Sequence, residues 1–393
     1  MKIVYVIGWP LGQGGHINST YNLMKQIIKR HPERKIILIA PRGEKSIYFR
    51  ALGVDLFDFK YHKNRFIFSL SMILRLFYVC ATNRINIFHV MDYKALVHVV
   101  FANLFLWKKI IFTKAGGKPL KSKLPKLGSI IVFSKELRDF YIKNKNVHEQ
   151  EKIFLIKERI DTSIENIKDY KGNSKKLIIF IAMRLENAKK QMLDNLFDEL
   201  KKINSGSKKL KLVIAGEGKL FNYCLNKSLE IKKKLKDKVE FEFLGEVNDM
   251  SKIIDHTLKS NIVVGHGRGI LEAMVLQKPV VLLAFDKKGS QLVTSSNVKN
   301  ISDYNFSGRN FIFKYNDKSL SDILNDKNSK NILEESAKFN KKYILDEYDV
   351  LIGAEKTLNV YNKTNLYDFK TFENNFLWMF NKLDFNFKSS RLK

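Results

Sequence analysis

The stretch VVGHGRGILEAMVLQKPVV (263–281) combines the local signals that decide the fold. It begins as a short apolar strand and turns on three glycines at alternate positions, Gly265, Gly267 and Gly269. A helix with one acid, Glu272, and a second apolar strand follow, which is the pattern of a βαβ unit. Glycine lets a backbone approach a ligand closely, and a helix that begins there directs free N–H groups at an anion. The stretch therefore predicts a parallel α/β fold with an anion site at a strand end.

The same alternation of apolar strands and helical patterns runs along most of the chain. Strands are predicted at 2–8, 35–40, 85–90, 109–114, 129–134, 152–158, 176–184, 209–218, 239–245, 261–267 and 279–284. Residues 161–175 are poor in apolar side chains and contain a Gly-Asn-Ser turn, so we place a linker there. We predict an α/β protein with two tandem doubly wound, Rossmann-like domains, at 1–165 and 175–345. A helical tail at 346–393 is expected to pack back on the first domain or to face a membrane.

The charge of the chain is strongly positive, at +30 from 70 Lys and Arg against 40 Asp and Glu. A nucleic-acid partner is not expected, because no zinc-finger, RNP or recognition-helix signature accompanies the charge. Two explanations stay open. One is a general compositional bias toward Lys, and the other is a basic face toward anionic lipid or an anionic acceptor. The basic segments 60–65 and 118–126 are the candidates for such a face.

Cysteine use and hydropathy indicate a protein of the reducing cytosol. Cys80 and Cys224 are the two cysteines, and they lie far apart among apolar neighbours, so neither a disulfide framework nor a metal site is expected. The first apolar run is too short for a signal peptide. The apolar segments 66–81, interrupted by Arg75, and 95–107 are not expected to span a bilayer.

Two common nucleotide motifs are poorly matched. After the first predicted strand, GWPLGQGGH (8–16) has Ile17 where a dinucleotide fingerprint needs its third glycine. The second strand ends in Pro41 and Arg42 rather than in an acid for the ribose diol. A P-loop sequence is also missing. Glycine turns at strand ends remain, and these are 12–15, 115–118, 216–219 and 265–269.

Two basic residues follow the first predicted strand of the second domain, in MRLENAKKQ (183–191). Arg184 lies at the strand end and Lys189 comes five residues later. A diphosphate leaving group gathers negative charge as its bond to a sugar breaks, and fixed cations stabilise that charge. We therefore predict that both residues bind phosphate.

Several segments together resemble glycosyltransferase family 4, which has the GT-B fold. In the second domain these are AMRLENAKK, KLVIAGEGKL, FEFLGEVND and GHGRGILEAMVLQKPVV, and in the first domain the GQGGH loop, FHVMD and VFSKELRDFY. NFSGRNF (305–311) resembles a segment of bacterial members. The resemblance implies two Rossmann-like domains with a cleft between them. It also implies retaining transfer of a sugar from a nucleoside diphosphate, usually without a metal.

The resemblance also implies roles for particular residues. Arg184 and Lys189 would hold the donor phosphates, and Glu272 would accept hydrogen bonds from the ribose hydroxyls. Gly14 and Gly15 would form a loop that closes over donor and acceptor. The remaining donor-binding residues that we predict lie in two glycine turns, and they are Gly216, Gly265, His266, Gly267, Arg268 and Gly269.

Two positions raise questions about these roles. Family members commonly carry another glutamate, which contacts the hydroxyls of the donor sugar, eight residues before the one that matches Glu272. This chain has Val264 at that position. His266 or backbone N–H groups would then make that contact. His89 lies where many members have a cleft histidine, but Met91 replaces a further histidine that is often present. His89 is therefore either a catalytic residue or a histidine of the core.

The leading hypothesis is a retaining glycosyltransferase of bacterial surface polysaccharide synthesis that uses a nucleoside-diphosphate sugar, with UDP preferred. It would need no metal or other cofactor and would act on a glycan or lipid-linked acceptor. It would be cytoplasmic, with peripheral binding to an anionic membrane surface. The alternatives are a non-catalytic glycosyltransferase-like scaffold and a sugar-nucleotide 2-epimerase. The sequence does not identify the sugar, the acceptor, the linkage or the oligomeric state.

Overall fold

The computed structural model describes residues 1–12, 14–120, 122–143, 152–166, 176–204, 209–365 and 367–390. The chain divides into two compact units. Unit 1 comprises Met1–Arg159 and Val350–Lys393, and unit 2 comprises Ile160–Asp349. The two units divide after residues 159 and 349, whereas the sequence predicts domain ends at 165 and 345. The predicted linker lies outside the described residues from position 167 onward.

The strands and helices are as follows. The strands are β1 (Ile3–Val6), β2 (Ile36–Pro41), β3 (Asp55–Phe59), β4 (Ile87–Val90), β5 (Lys109–Lys114), β6 (Ser129–Val132), β7 (Ile153–Leu155), β8 (Leu177–Ala182), β9 (Leu210–Ala215), β10 (Val239–Gly245), β11 (Ile262–Gly265), β12 (Val280–Leu283) and β13 (Ser290–Leu292). The helices are α1 (Gly15–Arg30), α2 (Ser46–Ala51), α3 (Arg65–Thr82), α4 (Tyr93–Leu106), α5 (Lys135–Lys143), α6 (Lys190–Lys201), α7 (Phe221–Leu235), α8 (Met250–Lys259), α9 (Arg268–Val275), α10 (Val298–Ser302), α11 (Leu320–Asn325), α12 (Lys330–Tyr348), α13 (Val350–Lys363) and α14 (Phe369–Ser390).

Unit 1 is built on a parallel sheet with the strand order β3-β2-β1-β4-β5-β6-β7. All four residues of β1, β4 and β6 are buried, because helices cover both faces of the sheet. The helix α13, from the end of the chain, packs on α1 and adds Ala354, Leu358 and Tyr361 to the core. The strand order reverses direction between β1 and β4, so the loops that follow these two strands lie side by side.

Unit 2 repeats this design with the strand order β10-β9-β8-β11-β12-β13. Its strands are parallel except β13, which pairs antiparallel with β12. The chain runs outward from β8 to β10 and then returns to the other side of β8 at β11. In an open α/β sheet a ligand binds outside the carboxyl ends of the strands at such a reversal. The ends of β8 and β11 therefore mark the expected site of unit 2.

Among the described elements, two strands and three short helices were not predicted from the sequence, namely β3, β13, α2, α10 and α11. Both strands lie at sheet edges. In β3, with the sequence DLFDF, polar residues interrupt the apolar ones and only the last residue is buried. The prediction relied on continuous apolar runs, which are typical of central parallel strands. The other four elements have three to six residues each, which is too short for a clear period.

The helix α3 is long and apolar enough to cross a membrane by length and composition alone. One of its faces, with Phe68, Met72, Leu76 and Val79, is buried in the core of unit 1. The side chain of Asn64 caps its first turn by accepting the backbone N–H groups of residues 66 and 67. Since its buried face completes a core, α3 belongs to the folded domain, as expected from the sequence.

Candidate functional site

The site of unit 2 begins with two neighbouring strand ends. The strands β8 and β11 pair in parallel, with Ile179 opposite Ile262 and Phe180 opposite Val263. The segment after β8 carries Arg184 and Lys189, and the segment after β11 carries His266. The topology therefore brings Lys189 and His266, which are 77 positions apart in sequence, to the same edge of the sheet, where they are in contact.

Lys189 and His266 form that contact. The Lys189 Nζ atom lies 2.5 Å from His266 Nε2. An ammonium group can only donate, so Nε2 accepts and the imidazole proton is assigned to Nδ1. Nδ1 is buried and has no hydrogen-bond partner among the described residues. A buried donor without a partner costs free energy, and a bound acceptor would satisfy it.

The electrostatics of this pair favour the binding of an anion. Burial, followed by the positive charges of Arg184 and Arg309, lowers the pKa of Lys189 to about 8. Burial, followed by the charges of Lys189 and Arg309, lowers the pKa of His266 to about 3, so this histidine is neutral at pH 7. The ring of Phe285 covers Lys189 from 5.2 Å. Two neighbouring groups with strongly lowered pKa values in one partly buried place indicate a functional site.

Arg309 is the functional candidate that the sequence analysis missed. It follows Gly308, whose φ is +74° and whose added Cβ atom would lie 2.2 Å from the backbone oxygen of Leu283. The N–H group of Phe285 donates to the Gly308 oxygen at 3.0 Å, which ties this segment to the end of β12. The NFSGRNF segment carried the signal, a basic residue after a glycine turn, but nothing in the sequence related it to Lys189.

The start of α9 lies next to His266. Its N-cap residue, Gly267, has a φ of +60° and supplies no side-chain cap to the helix. The N–H group of Gly267 itself donates to Phe306 O at 2.7 Å. In any α-helix the N–H groups of the first turn have no partner within the helix, so a helix start of this kind is suited to an anion. The predicted binding residues Gly265, Gly267 and Gly269 thus shape a strand end and a helix start.

Glu272 is held in place by Arg268 one turn earlier on α9. Arg268 Nε lies 2.7 Å from Glu272 Oε1, and both side chains are largely buried. The sequence analysis assigned both residues to the donor. In the structure, Arg268 is the partner that orients the carboxylate. Within the described part of the chain, the second oxygen of the carboxylate makes no hydrogen bond.

Gly216 has a packing reason for being glycine. Its φ is +147°, and an added Cβ atom would lie 1.9 Å from the backbone oxygen of Met183. The N–H group of Met183 donates to Ala215 O at 3.0 Å, and that of Leu185 to Glu217 O at 2.9 Å. Gly216 therefore lets the loop after β9 support the loop that carries Arg184 and Lys189.

In unit 1 the loops after β1 and β4 are joined by Asp92. Its carboxylate accepts the N–H groups of Gly8 at 2.7 Å and of Ala95 at 2.9 Å. Gly14 is the N-cap residue of α1, and a Cβ atom added to Gly15 would lie 3.6 Å from Glu158 Oε1. Both predicted glycines therefore lie at the start of a helix, where the N–H groups of the first turn have no partner within the helix.

His89 lies inside the sheet of unit 1. It is fully buried, its Nδ1 lies 2.6 Å from the Tyr361 hydroxyl, and its Nε2 lies 2.7 Å from Thr113 Oγ1. Burial keeps the pKa of His89 well below its usual value. With both ring nitrogens engaged and no exposure, this arrangement favours the core histidine of the two alternatives over the catalytic one.

Within the described residues, no group of three or more His, Cys, Asp or Glu side chains could hold a metal ion. The positive charge at the ends of β8 and β11 comes instead from Arg184, Lys189 and Arg309.

The pKa of Lys189 predicts the pH dependence of anion binding. Lys189 is charged below about pH 8 in the free protein, so the affinity for pyrophosphate should fall about tenfold between pH 7.5 and 9.5. Lys189→Arg keeps its charge throughout, and its affinity should stay flat. Titration calorimetry at several pH values measures both. If the affinities of the two proteins depended on pH in the same way, the assignment would be contradicted.

The same lowered pKa of Lys189 has the opposite effect on the stability of the protein without ligand. The unfolded chain binds more protons than the folded one between about pH 8 and 10.5, so the free energy of unfolding should rise over that range.

Comparisons with known proteins bear on the fold and on the second half of the chain. Residues 175–301 match the family described as glycosyl transferases group 1. A glycosyltransferase from Rickettsia africae is similar in fold over 92% of this chain and 98% of its own, at 13% identity and a TM-score of 0.66. HepE from Anabaena, in complex with UDP and glucose, matches over 91% and 98%, at 14% identity and a TM-score of 0.63. A putative UDP-N-acetylglucosamine 2-epimerase from Listeria monocytogenes matches over 91% and 94%, at 15% identity and a TM-score of 0.58.

A search of curated proteins finds no match to the chain. The structural likenesses confirm the predicted GT-B fold of two Rossmann-like domains. Together with the match to group 1, they support a glycosyltransferase with this fold.

Proposed function

We propose that the chain is a retaining glycosyltransferase, which transfers a sugar from a UDP-sugar to a glycan or lipid-linked acceptor in bacterial surface polysaccharide synthesis. The observation that carries this proposal is the cationic cluster of Arg184, Lys189 and Arg309 around neutral His266, at the strand reversal of unit 2. A diphosphate fits such a site because it has several oxygens that accept from fixed donors.

The cluster has a direct chemical role in this proposal. When the bond between the sugar and the diphosphate breaks, the electron pair stays on the phosphate oxygen. Lys189 and the two arginines stabilise that charge in a partly buried place, where their effect exceeds that in water. The buried Nδ1–H group of His266 is one more donor for the phosphate or for a sugar hydroxyl. Because these residues supply the positive charge, we propose that no metal is needed.

Glu272 has a different role, on the nucleoside part of the donor. Arg268 holds one carboxylate oxygen and so fixes the direction of the other. A carboxylate is a strong acceptor for the two hydroxyls of a ribose. UDP is proposed as the nucleotide because the HepE structure, which is similar in fold, contains UDP and glucose.

The groups around the phosphate site are consistent with the retaining mechanism that we propose. The residues that act on Lys189 and His266 are two arginines and the ring of Phe285. None of these can serve as a nucleophile, so we propose that the leaving phosphate itself takes the acceptor proton. An epimerase would need acids that converge on the sugar. A scaffold has no physical need for a partly buried cluster of cations.

A thermal-shift experiment tests this function. UDP should raise the unfolding temperature by several degrees, because a ligand at about 100 times its Kd stabilises the folded state by about 2.7 kcal/mol. GDP, ADP and CMP should raise it less, and uridine, which lacks the diphosphate, should leave it unchanged. If no nucleoside diphosphate stabilises the protein, the proposal fails. NMR of a UDP-sugar without acceptor adds a second check, because the appearance of an epimeric sugar would favour the epimerase instead.

We further propose that the protein works in the cytoplasm, as a peripheral protein on the inner face of the membrane. A lipid-linked acceptor would be presented there. This part of the proposal rests on the surface of unit 1.

A further inference from the structure

One face of α3 is exposed although it is apolar. Phe66, Leu70, Leu74 and Tyr78 recur every four residues and form a stripe, with exposed fractions between 47% and 75%. The stripe spans roughly 18 Å along the helix axis. Only 22% of the apolar window of α3 is buried, so the helix is apolar on its exposed side as well as on its core side. Apolar surface of this extent marks an interaction site.

The stripe continues onto two neighbouring helices. The ring of Phe77 on α3 lies 6.1 Å from that of Phe105 on α4, and Phe105 is 67% exposed. The exposed ring of Trp107, just after α4, stacks on Phe372 of α14 at 5.7 Å. We call the whole surface the apolar face, and it consists of Phe66, Leu70, Leu74, Tyr78, Phe101, Phe105, Trp107, Phe369, Phe376 and Phe380, all of which are exposed.

The stretch of chain that carries α3 and α4 is depleted of acid. Residues 59–135 contain 14 Lys and Arg but a single acid, Asp92. At the frequency of the whole chain, 40 acids in 393 residues, a stretch of this length would hold about 8. A general bias toward Lys would not remove acids, so it does not account for this difference. Lys63 and Arg65 are exposed at one end of α3 and Arg84 just after its other end.

We propose that the apolar face inserts into the interfacial layer of an anionic phospholipid bilayer. In this arrangement α3 lies along the membrane plane and the basic residues at its ends contact the headgroups. An apolar face next to a stretch of chain that is rich in Lys and Arg and poor in acids matches the two requirements of interfacial binding, which are apolar area that can be buried and attraction to anionic lipid. In a dimer formed through the apolar face, the basic surface of one copy would instead lie against that of the other, and their like charges would repel.

Vesicle flotation tests the surface. The protein should float with phosphatidylcholine vesicles that contain about 30 mol% phosphatidylglycerol, and much less with phosphatidylcholine alone. Part of the binding should persist at about 0.5 M NaCl, because insertion of apolar side chains is not screened. The double variant F66Q/L74Q should bind at least tenfold more weakly. Leu229→Gln is the matched control, because Leu229 is an exposed leucine on α7 of unit 2.

Tryptophan quenching locates the contact. Brominated lipids should quench the fluorescence of Trp107, which belongs to the apolar face and is 45% exposed. The variant W107F should lose that quenching. The variant W9F should keep it, because Trp9 is equally exposed but lies in the loop after β1.

Three results would overturn the proposal. The first is equal vesicle binding by F66Q/L74Q and the unchanged protein, with equal thermal midpoints. The second is complete loss of binding in high salt, which would leave only electrostatic attraction. The third is a dimer in sedimentation velocity that the same double variant dissociates, since a second copy would then cover the face.

This inference rests on the proposed function only for its purpose, the approach to a lipid-linked acceptor. The samples for flotation and for tryptophan quenching contain no nucleotide, and the sample for the thermal-shift experiment contains no lipid. Each proposal can therefore fail while the other stands.

Discussion

Lys189→Met should raise the Kd for UDP at least 100-fold. Methionine keeps the length and the apolar stem of lysine but removes the charge that His266 and the two arginines surround. A 100-fold change corresponds to about 2.7 kcal/mol, in the range of a charge-assisted hydrogen bond lost from a partly buried site. Isothermal titration calorimetry of the two proteins with UDP measures the effect directly.

The neighbouring residue provides a matched control. Lys190 begins α6 and is exposed, and its Nζ atom lies 3.0 Å from Asp194. Lys190→Met should bind UDP as the unchanged protein does, because an exposed ion pair contributes little. Lys189→Met should also unfold at the same or a higher temperature without ligand, since burial disfavours the charged lysine. Equal losses of affinity in both variants would mean that general surface charge, and not Lys189, binds the diphosphate.

Gly216→Ala should destabilise unit 2 by roughly 3 kcal/mol or more. A methyl group there would lie 1.9 Å from the backbone oxygen of Met183, and backbone cannot rotate away as a side chain can. The φ of +147° adds strain for any residue with a Cβ atom. Urea denaturation followed by circular dichroism measures the loss, and UDP binding should weaken with it because Met183 precedes Arg184.

Gly53→Ala separates the two causes of that loss. Gly53 has a φ of +78°, but an added Cβ atom would meet nothing within 4 Å. Its replacement should therefore cost only the conformational part, about 1 kcal/mol. If both variants lose the same stability, the close contact at Gly216 is not what makes glycine necessary there.

The fold of this chain could be predicted because its central strands are apolar throughout. In β1, β4, β6, β11 and β12 every residue is buried, so each strand stands out from the polar residues of its neighbours. The edge strand β3 carries no such signal because it is only partly buried, and β13, although its three residues are buried, is too short and too polar to show one. Hydrophobic periodicity detects an element only where the element is long enough and its buried residues are apolar.

The site was predictable in its position and less so in its contacts. Chain order and the rule of strand reversal place Lys189 and His266 at the same end of the sheet. The 2.5 Å contact between them, the partnership of Arg268 with Glu272 and the presence of Arg309 all depend on side-chain directions in loops. Loop conformation is set by tertiary packing, such as that of Gly308 on Leu283, and local sequence does not determine it.

Because α13 completes unit 1, the order of synthesis matters for this chain. The polypeptide leaves unit 1 at Arg159 and returns to it at Val350, so the ribosome makes 190 residues of unit 2 in between. At typical translation speeds this takes roughly 10 to 40 s. During that time α1 lacks its partner helix and His89 lacks the hydroxyl of Tyr361. Unit 1 therefore cannot complete its core until the residues after 349 have been made, and we expect it to be the later of the two units to fold.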